Sequence, residues 1–64
     1  MDIFIERENR TVTAESKGTA KELLSLVGVN PESVLIVRDG VLITPDDTIE
    51  GAERLELMSV ISGG

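Results

Sequence analysis

The 64-residue chain has no cysteine, histidine, tryptophan or tyrosine, and Phe4 is its only aromatic residue. Without cysteine there is no disulfide framework, no Cys-based zinc site and no thiol nucleophile. Without histidine the usual general base near neutral pH and the commonest neutral metal ligand are missing. Without tryptophan and tyrosine most base-stacking platforms are gone as well. Basic residues are scarce: Arg7, Arg10, Lys17, Lys21, Arg38 and Arg54 are scattered among 12 acidic residues, and the net charge of −6 argues against direct nucleic-acid binding. No apolar run approaches bilayer-spanning length, and Met1 to Glu6 has neither a basic region nor a signal-like apolar stretch. The expectation is a soluble, cytoplasmic monomer with no membrane partner, no metal and no bound cofactor, and not an enzyme. The acidic pairs Asp46-Asp47 and Glu53/Glu56 lack a turn-borne ligand set and read as solvated surface.

What is present is enough for one small core, because a chain of this length buries only about 60% of its unfolded surface. Asp2 to Arg7 alternates with Ile3 and Ile5 inward, and Arg10 to Glu15 repeats the alternation with Val12 and Ala14 inward. A tight turn around Glu8-Asn9 joins them as a hairpin. Thr19-Ala20-Lys21-Glu22 has the spacing of a capping box, and Ala20, Leu23, Leu24 and Val27 then form one helical stripe. Gly28 suits the left-handed position that closes a helix, and Asn30-Pro31 blocks its continuation. Val34 to Val37, Asp39-Gly40 and Val41 to Ile43 read as a second hairpin. An irregular stretch from Pro45 to Ala52 is anchored by Ile49, and a last strand runs from Arg54 to about Val60.

The order is β-β-α-β-β-β. This predicts an α+β fold in which a mixed sheet of four to five strands carries one helix across a single face. The expected core is Ile3, Ile5, Val12, Ala14, Leu23, Leu24, Val27, Val34, Ile36, Ile43, Ile49, Leu55 and Leu57. One domain spans residues 1–61, followed by a flexible Ser-Gly-Gly tail at 62–64.

One helix leaves the other face of the sheet uncovered. If Val34 and Ile36 face the helix, the period of two turns Leu35 and Val37 away from it, and the same parity turns Met58 and Val60 outward. Phe4 shares that parity on the first strand. Leu35, Val37, Met58 and Val60, with Ile61, form a candidate partner-binding patch, since a contiguous apolar patch on so small a domain more often marks a partner surface than a satellite cluster roofed by the tail or a loop. The patch leads straight into Ser62-Gly63-Gly64. Four extended residues reach about 13 Å, and glycine lacks the Cβ that would stop a chain threading a narrow channel. A terminal carboxylate becomes an acyl donor only when its oxygen is made a leaving group, as by adenylation with ATP. This chain has no phosphate-binding loop, so a partner would hold the nucleotide. At the level of residues the alternative stands that Ser-Gly-Gly is an incidental linker on a small binding or adaptor domain.

The opening Met1-Asp2-Ile3-Phe4-Ile5, the helix from Thr19 to Leu26, Asn30-Pro31-Glu32, Val37-Arg38-Asp39-Gly40 and the run Leu57-Met58-Ser59-Val60-Ile61-Ser62-Gly63-Gly64 together resemble the ubiquitin-like β-grasp sulfur carriers. That family includes ThiS, MoaD, TtuB and the archaeal small modifiers (SAMP), and the resemblance covers the whole chain. It implies that an E1-like enzyme adenylates the Gly64 carboxylate with ATP and that a sulfurtransferase step makes the thiocarboxylate. The sulfur then passes to an accepting enzyme, most similarly to TtuB a tRNA thiolase forming 2-thiouridine, or else a thiazole or molybdopterin synthase. For SAMP-like members it also implies joining of Gly64 to target-protein lysines. Gly64, with Gly63, is then the covalent site. A sequence that already ends at Gly-Gly would need no processing. Lys17 and Lys21 are the available acceptors for a second copy, although two exposed lysines near a helix start are more often solubilising. Arg38 and Arg54 are expected to offset nearby carboxylates.

Overall fold

The computed structural model describes residues 1–60. Strand β1 (Asp2–Ile5) and β2 (Arg10–Thr13) are joined through a 3-10 turn at Glu6–Glu8; α1 (Ala20–Val27) follows, then a second 3-10 turn at Pro31–Ser33, β3 (Val34–Arg38), β4 (Val41–Ile43) and β5 (Arg54–Ser59). The five strands form one sheet in the order β2-β1-β5-β3-β4. β5 runs parallel to β1 and antiparallel to β3, and the two hairpins are antiparallel. The expected α+β architecture is thus present, with the last strand in sequence at the centre.

Thr19 starts the helix as a complete capping box: its hydroxyl accepts from the Glu22 N–H at 3.4 Å, and its own N–H donates to Glu22 Oε1 at 2.9 Å. The next two N–H groups of the first turn have no partner within the helix. They are satisfied by the loop before β5, which crosses the helix start: Ala20 N–H donates to the Asp47 carbonyl at 3.0 Å and Lys21 N–H to the Pro45 carbonyl at 2.8 Å. The same crossing buries Ile49 and Ala52. Gly28 closes the helix with φ 78°, and Asp39-Gly40 turns the second hairpin with φ 48° and 85°, the positive pair that a two-residue turn of matching twist requires.

Ile3, Ile5, Val34, Ile36, Leu55 and Leu57 line the inner face of the sheet and pack on Ala20, Leu23 and Leu24 of the helix. Val12, Ala14, Val27 and Ile43, expected in the core, are only partly buried against it. The reason is position: β2 and β4 are the sheet edges, and Val27 is the last residue of an eight-residue helix that cannot cover them. The first hairpin also differs from expectation. Its strands are shorter, and the connection is the 3-10 turn closed by Asn9 at φ 48° instead of a tight turn at Glu8-Asn9. Asn30-Pro31 does stop the helix, but it also starts a further 3-10 turn, with Asn30 Oδ1 accepting from the Glu32 N–H at 2.9 Å.

Replacing Thr19 by Ala is expected to cost about 1 kcal/mol of stability, the usual value of an N-cap, seen as a lower Tm or denaturation midpoint. Hydrogen bonds from the Thr19 backbone and then its hydroxyl hold the Glu22 carboxyl below its ordinary pKa. A depressed folded-state pKa contributes stability that is complete above the unfolded value and is lost as pH falls through the folded one. Glu22→Gln should therefore lower stability near neutral pH and flatten the acid limb, so that variant and wild type converge at low pH; identical profiles would show that the carboxylate contributes nothing.

Candidate functional site

Because Leu55 and Leu57 face the helix, Arg54, Glu56 and Met58 face away from it, as do Leu35 and Val37 on β3. Register joins them into a surface: Leu35 lies opposite Met58, and Val37 lies opposite Glu56 on one side and Leu42 on the other. Leu35 is 47% exposed and Val60 45%, while Val37 and Met58 are half-buried. Leu35, Val37 and Met58 therefore share one face, and the exposed Val60 follows directly after the end of β5. Ile61, with Gly63 and Gly64, lies outside the described residues. Leu42, 61% exposed, extends the patch and was not among those expected. The parity that points Ile43 inward would have found it, but β4 is too short to display an alternation. Phe4 sits opposite Glu56 and is separated from Val37 by it.

The end of β5, from which the chain continues into Ser62-Gly63-Gly64, is held on both sides. β1 stops at Ile5, and in place of a further ladder bond the Glu6 side chain reaches across: its Oε1 accepts from the Ser59 N–H at 2.9 Å. On the other side the Val60 N–H donates to the Ser33 carbonyl at 3.2 Å. Ser33 is itself buried and fixed, its hydroxyl donating to the Asn30 carbonyl at 2.8 Å. The beginning of β5 is fixed by Asp39, whose carboxylate accepts from the Glu53 and Arg54 N–H groups at 3.1 and 2.9 Å. Neither Glu6 nor Ser33 carries an apolar or motif signal, and Asp39 is legible only as a turn residue, so the topology alone reveals these three as clamps.

The charged residues singled out in the sequence are mostly structural. The Arg38 guanidinium donates to the Thr48 and Glu50 carbonyls at 3.4 and 3.0 Å, so its main work is holding the loop before β5, with Asp39 only at 3.9 Å. Arg54 lies 5.9 Å from the Phe4 ring centroid and makes no ion pair among the described residues. Arg38 thus keeps the expected role of offsetting a carboxylate only as a long contact beside its loop hydrogen bonds, and Arg54 departs from it. Asp47, expected to be solvated surface, accepts from the Thr44 N–H at 2.8 Å. Lys17 is exposed, and Lys21 pairs with Asp46 at 2.9 Å, which through that hydrogen bond and then the charge raises its pKa. Among the described residues no three or more carboxylates gather to hold a metal ion, and no helix is long and apolar enough to cross a membrane.

A mixed sheet with a parallel β1-β5 pair at its centre, one helix on one face and an apolar opposite face defines a ubiquitin-like β-grasp domain. Comparison with known families agrees and is more specific. The model of the family described as small archaeal modifier protein 2 matches residues 2–61, and the chain belongs to that family. It is 37% identical over 57 residues, 89% of this chain and 88% of the relative, to the sulfur carrier protein TtuB of Thermus thermophilus. It is also 37% identical over 62 residues, 95% of this chain and 91% of the relative, to an uncharacterized protein of Archaeoglobus fulgidus.

Glu6→Ala is expected to speed amide exchange at Ser59 by about tenfold, the equivalent of one lost hydrogen bond, with the core amides of β5 unchanged. Glu6→Gln, which keeps an acceptor, should fall between. Equal exchange in all three proteins would show that Glu6 does not hold the strand end.

Proposed function

We propose that this chain is a carrier and modifier whose reactive group is its terminal carboxylate. An E1-like enzyme transfers AMP from ATP to the Gly64 carboxylate with release of pyrophosphate; a sulfurtransferase step then replaces AMP with sulfur to give a thiocarboxylate. The sulfur goes to an accepting enzyme, and on the likeness to TtuB that enzyme is a tRNA thiolase making 2-thiouridine. The observation that carries this reading is the near full-length similarity to a named sulfur carrier, in a chain whose central strand leads into Ser62-Gly63-Gly64. The side-chain inventory agrees with it: with no Cys or His, the chain brings no nucleophile or general base of the usual kind, and the chemistry falls to the partners.

Membership of the small archaeal modifier protein 2 family favours a second use of the same activated end, an isopeptide bond from Gly64 to lysines of target proteins. Where a second copy is the target, the two lysines are unequal. Attack on an acyl group needs the neutral amine, and the Asp46 partner that raises the Lys21 pKa works against it. Lys17 makes no ion pair among the described residues and is the better acceptor. The patch of Leu35, Val37, Met58, Val60 and Ile61, enlarged by Leu42, docks the adenylating enzyme and aims the tail into its nucleotide site.

Two variants test this in ATP–pyrophosphate exchange with the E1-like enzyme of the same genome. Removing Gly63-Gly64 should abolish exchange at unchanged Tm, because the buried core lies between Ile3 and Leu57. Met58→Asp should raise KM by about tenfold or more at similar kcat, since docking would desolvate an unpaired charge. Exchange that survives the deletion would contradict the carrier reading, and an unchanged KM for Met58→Asp would contradict docking through this face.

A further inference from the structure

Glu56 stands in the middle of the apolar face. Register sets Phe4, Glu56, Val37 and Leu42 in one line across β1, β5, β3 and β4, and along β5 its same-face neighbours are Arg54 and Met58. The side chain is half-buried and, among the described residues, makes neither an ion pair nor a hydrogen bond. Arg54 is the nearest cation by position, yet its guanidinium lies over the Phe4 ring instead. In the free protein this carboxylate keeps its water. A partner covering the face with apolar surface alone would strip that water and replace it with nothing, which is strongly unfavourable for a charge.

Resting on the reading that this face docks the adenylating enzyme, we propose that the enzyme presents one cationic side chain, an arginine by preference, placed to meet Glu56. Glu56 is then the residue that selects this partner over other proteins with apolar docking surfaces. A guanidinium fits the position because it is weakly hydrated and binds a carboxylate through two parallel hydrogen bonds. A second copy of this chain is a poor occupant, since each copy carries a net charge of −6.

The test is the sign of the change in KM when Glu56 is replaced by Met, a side chain of similar length without charge. If the partner surface opposite is purely apolar, Glu56→Met removes a desolvation cost and KM falls or stays constant. If a cation is there, Glu56→Met strands it, and KM for the carrier in pyrophosphate exchange rises by about tenfold with kcat within about twofold. Glu56→Gln should lie between, and Tm should not fall for either variant, because Glu56 supports no described contact. A rise in KM at intact Tm supports the proposal. A constant or lower KM overturns it while leaving the carrier function standing; wild-type protein that is not adenylated overturns the carrier reading and this inference with it. A dimer of the wild-type chain in sedimentation that Glu56→Met dissociates would also overturn it, by assigning the face to self-association.

Discussion

Everything in this domain depends on β5 being last in sequence and central in the sheet. It is bonded to β1 on one side and β3 on the other, so within the sheet the two hairpins meet through it. Its alternation sends Leu55 and Leu57 into the core and Glu56 and Met58 to the open face. A slip of one residue would bury Glu56 and expose both leucines, an exchange the small core does not tolerate. The register is accordingly fixed at both ends, by Asp39 at the start and by Glu6 and Ser33 at the finish. These are polar clamps on backbone N–H groups, and they act where neighbouring strands have run out.

The same constraint links folding to use. One strand carries half its side chains into the core and half into a candidate interface, and its end is directed by hydrogen bonds from both neighbours. A partner that grips the open face therefore also fixes where the following residues begin. On the proposed reading, the division of labour follows from composition: the small domain supplies a shape, a charge and a carboxylate, and the larger partners supply nucleotide, sulfur and catalysis. On the same reading, the net charge of −6 disfavours self-association and suits a partner with a basic surface.

Much of this was legible in the sequence. The alternations at Ile3/Ile5 and Val34/Ile36, the Thr19 to Glu22 box and Asp39-Gly40 each name a local structure with a physical cause, and each is present. The exposed face followed from parity alone. What was not legible is long-range. Ala52 is buried because the loop before β5 crosses the helix start, and a loop has no period to read. Glu6 and Ser33 meet the end of β5 only once β5 lies between β1 and β3. The partial exposure of Val12 and Ile43 depends on which strands become edges, a property of topology and not of local pattern. Glu56 looked like one more solvated carboxylate until register set it between Phe4 and Val37.

The central claim is that Gly64 is the reactive carrier, and intact-mass spectrometry reads it directly. The protein is incubated with ATP, the E1-like enzyme of its own genome and a persulfide-loaded sulfurtransferase, then weighed without thiol in the work-up. The account predicts an ATP-dependent gain of about 16 Da, one oxygen replaced by sulfur, mapped to Gly64. An unchanged mass, with no pyrophosphate released, would contradict it.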